Sequence, residues 1–248
     1  MFPIKDHNPS ERTPYVTIGL IVINVLVYLY SSQLAATQAQ LGAFYYDWAS
    51  VPALVTDGRQ THTIITSMFL HGGLLHIGLN MLFLWIFGDN MEDAFGHIGF
   101  LLFYLASGIA ANLAHIASAP DSQIPMIGAS GAIAGVMGGY LLLFPRARID
   151  VIVIFIIFFK RFTVPAWVVL IFWFALQILS GVGSDPATGG VAYWAHIGGF
   201  AAGFLLTVPY WMLHRGPAYW RANQGRPPHP PREIERVTTI PTVTRRRR

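Results

Sequence analysis

The sequence predicts an all-α membrane protein built around six crossing helices, and three features carry that prediction. Hydrophobic residues fill 54% of the 248 positions and charged residues only 11%, against about 25% charged in a typical soluble domain. Several apolar stretches approach the roughly 20 residues a helix needs to cross a bilayer. The basic residues fall almost entirely on one side of the resulting topology, as cytoplasmic loops require.

The segment 1–14 reads as a cytoplasmic N-terminal tail. The membrane segments then run from about Tyr15 to Leu34, Gly73 to Phe87, Ile98 to Ala117, Met126 to Phe144, Val164 to Leu179 and Val191 to Leu213. The second and fifth are short, so their ends take in flanking residues. Leu34-Ala35-Ala36 faintly resembles a cleavage site, but the first stretch is longer than the roughly 7–15 residues of a signal-peptide core, so it reads as an uncleaved helix.

The long connection from about Ala35 to Leu70 carries Phe44, Tyr45, Tyr46 and Trp48. Aromatic residues favour the membrane interface, and the connection suits folding back against it. The apolar run Ile149–Phe159 has Asp150 near its start and Lys160-Arg161 at its end. It is too short to span and suits an interfacial segment or a short hairpin. From about 214 the chain is basic and Pro-rich, ends in Arg245 to Arg248, and reads as a disordered cytoplasmic tail that is solvated or holds anionic lipid.

With the N-terminus inside, Arg59 is the one outer basic residue of the sixteen. A seventh span through 149–159 would move the whole basic tail outside. The chain has no cysteine, which excludes disulfides, thiolate catalysis and cysteine zinc sites.

Polar side chains inside membrane segments are costly and are candidates for function. His76 and Asn80 lie on the second segment, with His71 just before it. Ser130 lies within Gly128-Ala129-Ser130-Gly131 on the fourth, and His196 within Ala195-His196-Ile197-Gly198-Gly199 on the sixth. All three segments enter from the outer face. Their polar residues sit about four to seven residues in, roughly 6–10 Å at the rise of an α-helix, so one shallow layer holds them.

A serine hydroxyl needs an adjacent base to act as a nucleophile, and histidine suits that task near neutral pH. His76 and Asn80, four apart, share a helix face. With the Ser130 backbone N–H they offer donors for an oxyanion. No acidic residue shares the layer, which favours a Ser130–His196 dyad over a triad. Gly131, Gly135 and Gly139, and Gly199 and Gly203, repeat every four residues and allow close helix packing. His97 and His115 read as interfacial, and Glu92 as a tether from the second segment to a loop or an arginine.

In these motifs, from His71-Gly72-Gly73 through Asn80, at Gly128–Gly131, and at Ala195–Gly199 with Gly203, the chain resembles the rhomboid family of intramembrane serine proteases. Glu92, twelve residues after Asn80, also fits. The resemblance covers about Tyr15 to Leu213. It implies a six-helix membrane domain over 15–213 around a water-filled cavity open to the outer face, with a half-submerged first outer loop. It implies Ser130 as nucleophile, His196 as general base, and His76 and Asn80 at the oxyanion. It implies the fifth segment as a lateral gate for transmembrane protein substrates.

Two positions depart from the family pattern. His62-Thr63 stands where many members carry Trp-Arg, and Ala134 where some carry a Tyr that stacks on the catalytic histidine. Such catalysis needs no cofactor or metal, and nothing points to nucleic acid. The expected setting is the lipid bilayer of a prokaryotic plasma membrane with both termini cytoplasmic. The rival readings are a non-catalytic binder of membrane proteins, which should lack the Ser or the His, and a transporter, which should carry polar residues across the full membrane. A metal held by His76 and His196 alone would lack the usual third protein ligand.

Overall fold

The computed structural model describes residues 2–8, 10–34, 38–155, 158–185 and 189–227. Strand β1 (Phe2–Asp6) precedes helix α1 (Tyr15–Leu34). Short helices α2 (Gln38–Trp48), α3 (Pro52–Thr56) and α4 (Thr63–Thr66), with a 3-10 turn at Ser67–Phe69, make up the first long connection. Helix α5 (Leu74–Ser118), helix α6 (Ser130–Leu143), strands β2 (Arg148–Phe155) and β3 (Phe158–Pro165), and helices α7 (Ala166–Val182), α8 (Tyr193–Leu213) and α9 (Pro217–Asn223) complete the chain order.

The second and third expected segments lie on α5, whose helical backbone breaks at one residue. Gly96 has φ 70° and ψ 166°, a conformation that glycine adopts without the Cβ clash other residues meet. It divides the helix into legs at 74–95 and 97–118. Among the described residues three helices, α1, α5 and α8, are long and apolar enough to cross a membrane, and α6 and α7 are shorter apolar helices. Large apolar side chains such as Leu26 and Leu29 on α1 and Phe172 and Leu179 on α7 are exposed. Apolar surface of that extent marks contact with lipid or protein.

Helix α6 is the axis of the bundle, buried at nearly every residue. Its glycines let neighbours approach to backbone distance. A Cβ on Gly131 would lie 2.6 Å from Ala111 Cβ, and a Cβ on Gly199 or Gly203 would overlap the carbonyl oxygens of Gly131 and Gly135. The expected packing of the fourth and sixth segments through small residues is therefore present.

Glu92 fastens α1 to α5. Its carboxylate accepts from Val16 N–H at 2.9 Å, Thr17 N–H at 2.8 Å and the Thr17 hydroxyl at 2.7 Å, and it also meets His97 Nδ1. The expected tether exists, but it reaches the first turn of a helix, where N–H groups lack intrahelical partners and favour negative charge.

Of the run 149–159, residues 149–155 lie on β2 and 158–159 on β3, which pair antiparallel from Arg148↔Pro165 to Phe155↔Phe158; 156–157 lie outside the described residues. Strand β1 adds to the edge of this pair in the order β1-β2-β3, a pairing the sequence did not announce. The sheet comes after the C-terminal end of α6, about 20 Å along that helix from Ser130.

The expectation of disorder from 214 onward is corrected for 214–227. Helix α9 is anchored there because Trp220 Nε1 donates to the Leu142 carbonyl at 2.8 Å and its ring meets Trp211. Residues 228–248 lie outside the described residues.

Candidate active site

Ser130 is the first residue of α6, not four residues into a helix that begins at Met126. Met126 is held instead in backbone bonds to Ser50, at 2.8 and 3.1 Å. Gly128 then turns the chain at φ 127°. At a helix start the backbone N–H groups have no intrahelical acceptor, so the Ser130 amide is a donor by position.

His196 lies in the first turn of α8. Its Nε2 is 2.8 Å from Ser130 Oγ, and its Nδ1 is 2.8 Å from Gln177 Oε1. The amide oxygen of Gln177 can only accept, so Nδ1 carries the proton and Nε2 offers a lone pair to the serine hydroxyl. Gln177 is a buried residue on α7 and was not singled out from sequence. The signal was there: it is a polar residue inside an apolar segment, the same rule that found His76. Trp173, one turn earlier on α7, lies against the His196 ring at 5.7 Å between centroids.

His76 closes on the serine from α5. Gly72 N–H donates to its Nδ1 at 3.4 Å, which leaves Nε2 as the protonated nitrogen. A Cβ on Gly128 would stand 2.8 Å from that Nε2 and 3.5 Å from Ser130 Oγ, so the His76 donor and the hydroxyl flank one glycine. Asn80 is placed differently. Its amide donates to the His76 carbonyl at 3.0 Å, and the residue does not line the cavity beside the dyad.

That cavity has a volume of about 400 Å³ and is lined by His76, Ser130, His196, His115, Ser184 and Tyr193, among others. His115, expected at an interface, is buried on its wall. His71 sits outside it, buried with its ring edge-on to His76 at 5.0 Å. Burial and the neighbouring His76 push its pKa down to about 4, against a backbone bond at Phe69. It orders the first connection through its carbonyl, which accepts from the Tyr45 hydroxyl at 3.3 Å. Where the family pattern departs, His62 Nε2 lies 3.1 Å from the Asp47 carbonyl oxygen and the His62 ring meets Trp48 edge-on. Among the described residues no cluster of three or more metal-binding side chains occurs.

The arrangement can pass a proton from a hydroxyl to an imidazole beside at least two donors. A family model, the Rhomboid domain, matches residues 58–213. The chain is 35% identical over 176 residues to RHOMBOID-like protein 4 of Arabidopsis thaliana, covering 71% of this chain and 41% of that protein. It is 35% identical over 149 residues to Rhomboid protein 1, mitochondrial, of Saccharomyces cerevisiae, covering 58% and 40%. It is 41% identical over 78 residues to Rhomboid protease GluP of Bacillus subtilis, covering 32% and 15%. The chain thus spans about two fifths of the length of the first two. Organellar proteins of eukaryotes stand among these relatives, so the expectation of a prokaryotic plasma membrane draws no support from them.

Proposed function

The chain belongs to the rhomboid family and is a multi-pass membrane protein, and from that premise we propose that it is an intramembrane serine endopeptidase. The observation that carries the reading is the 2.8 Å approach of His196 Nε2 to Ser130 Oγ, oriented by Gln177, within a bundle of apolar helices.

In this reading α1, the two legs of α5, α6, α7 and α8 make six crossings, and 15–213 is the membrane domain. The first connection rests half-submerged at the outer face. Segments 1–14 and 214–248 face the cytoplasm, as the charge distribution supports. Helix α7 is the lateral gate, and the substrate is a transmembrane segment of another protein. Its scissile bond must leave helical hydrogen bonding before its carbonyl can be attacked.

Ser130 Oγ attacks that carbonyl carbon as its proton moves to His196 Nε2. The oxyanion receives hydrogen bonds from the Ser130 N–H and His76 Nε2–H. Asn80 Nδ2 gives one of its two N–H groups to the His76 carbonyl, and its second is the one free to join them. His196 returns its proton to the leaving amine, and water from the cavity hydrolyses the acyl ester by the same path in reverse.

The test is cleavage of a transmembrane substrate by the reconstituted full chain, beside Ser130→Ala and His196→Ala. Cutting by the wild type alone, with both variants folded, is the expected result. Cutting by Ser130→Ala sinks the serine mechanism.

A further inference from the structure

A second cavity, of about 790 Å³, opens at the far end of the molecule from Ser130, between the sheet and the start of α7. Arg146, Arg148 and Arg226 line it with His7, and Pro165 and Trp167 form part of its wall. The arginines come from two distant stretches. Arg146 lies between α6 and β2, Arg148 opens β2, and Arg226 lies just beyond α9. A backbone bond joins these stretches, Arg146 N–H to the Gly225 carbonyl at 2.8 Å, with Gly225 at φ 68°.

No carboxylate among the described residues lines the cavity. Of the acids on the neighbouring strands, Asp150 is fully buried and already engaged by Thr163, His7 and Arg161, and Asp6 accepts from the Asn8 amide at 3.2 Å. Among the described residues none of the three arginines takes part in an ion pair. Like charges gathered at one cavity repel one another, and an anion placed among them reverses that cost. Planar guanidinium forks match the oxygens of a phosphate group better than they match a spherical ion.

We propose that this cavity binds a phosphate-bearing anion, a phospholipid headgroup or free phosphate, through Arg146, Arg148 and Arg226. The lipid source rests on the multi-pass membrane reading, and the site itself does not depend on the protease. Basic pockets beside membrane helices on the cytoplasmic side suit anionic headgroups. Trp167, 47% exposed on the cavity wall, gives the glycerol and first methylenes an apolar surface. An occupant would also touch the base of α7, ten residues before Gln177.

The test uses the delipidated full chain in uncharged detergent, titrated with short-chain phosphatidylglycerol, short-chain phosphatidylcholine and inorganic phosphate, with thermal stability and binding as readouts. Phosphatidylglycerol is expected to bind and stabilise, more strongly than the zwitterionic lipid. Arg146→Gln/Arg148→Gln/Arg226→Gln should weaken it by about tenfold or more, as loss of charge-assisted bonds requires. Arg12→Gln/Arg215→Gln/Arg221→Gln, with the same charge removed elsewhere, should not.

Binding of phosphatidylglycerol but not of inorganic phosphate assigns the site to lipid, and equal stabilisation by both assigns it to free phosphate. Should the triple variant fold poorly, Arg226→Gln alone and the Arg→Lys triple, which keeps charge but loses the fork, are each expected to bind less tightly than wild type. No binding to wild type, or equal loss in the control variant, overturns the proposal. Each readout is independent of cleavage, so an inactive protein that still binds phosphate leaves this site standing.

Discussion

Gln177 decides which nitrogen of His196 faces the serine, because an amide oxygen at Nδ1 selects the tautomer with a free Nε2. Gln177→Ala removes that selection without touching substrate. The expected effect is a fall in kcat of about five- to tenfold, the worth of roughly one hydrogen bond of about 1 kcal/mol, with KM little changed. Gln177→Glu, which keeps an acceptor at Nδ1, should recover much of the loss. A purely structural role would instead lower thermal stability and give no such split between the two parameters. Gly199 makes a second test at this scale. A Cβ there overlaps the Gly131 carbonyl, so Gly199→Ala must push α8 from α6 and separate His196 from Ser130. Overpacking of this kind costs about 1–3 kcal/mol, and thermal unfolding should show that loss together with a loss of cleavage.

Elements differ in how openly the sequence declares them. The bounds of α1 were legible to the residue, because a lone apolar run needs no partner to be recognised. The start of α6 was not, since Met126 and Ile127 look as helical as residues 130–143, and only the bridge to Ser50 and the turn at Gly128 exclude them. Ser130 and His196 were legible as costly polar residues in apolar segments. The bond that spends the Asn80 amide on its own helix was not, because spacing gives a face and not a rotamer. Strand β1 was hidden for a different reason: its partner is about 145 residues away, and pairing at that distance leaves no local mark. Gly96 sits at φ 70° with open space around its missing Cβ, so Gly96→Ala adds backbone strain and no clash. A cost of about 1–3 kcal/mol is expected, read as a lower unfolding midpoint with cleavage per folded molecule unchanged. Glu92→Ala, by contrast, strips the first turn of α1 of its acceptor. It should cost about 3–5 kcal/mol, as removal of one partner from a buried charged network does. Equal midpoints for these two variants would refute the anchoring role.

At the scale of the whole molecule, the sheet ties the N-terminus and the α6–α7 connection to the end of the bundle away from the dyad, and two carboxylates there respond oppositely to pH. Burial alone would raise the pKa of Asp150, but bonds from Thr163, His7 and Arg161 outweigh it and hold the value down to about 2. Its contribution to stability is present above its ordinary 3.8 and is lost as the pH falls towards 2. Asp6, on β1, is raised to about 6, chiefly by burial, which the bond from Asn8, backbone bonds and the charge of His7 offset only in part. Asn8 in turn donates to the Tyr140 hydroxyl at 3.0 Å and its carbonyl accepts from Asn90 at 2.9 Å, so β1 cannot leave without unpicking contacts to α5 and α6. Between about 3.8 and 6 the folded chain holds a proton at Asp6 that the unfolded chain has released, so this residue lowers stability as the pH rises through that window. Asp6→Asn removes the ionisation and keeps an oxygen for Asn8 to reach. The variant should match the wild type near pH 4, gain on it as the pH rises to about 6, and hold a constant advantage above. Unfolding midpoints across that range read the difference directly, and parallel curves from pH 4 to pH 7 would show that Asp6 ionises in the folded sheet as freely as it does in the unfolded chain.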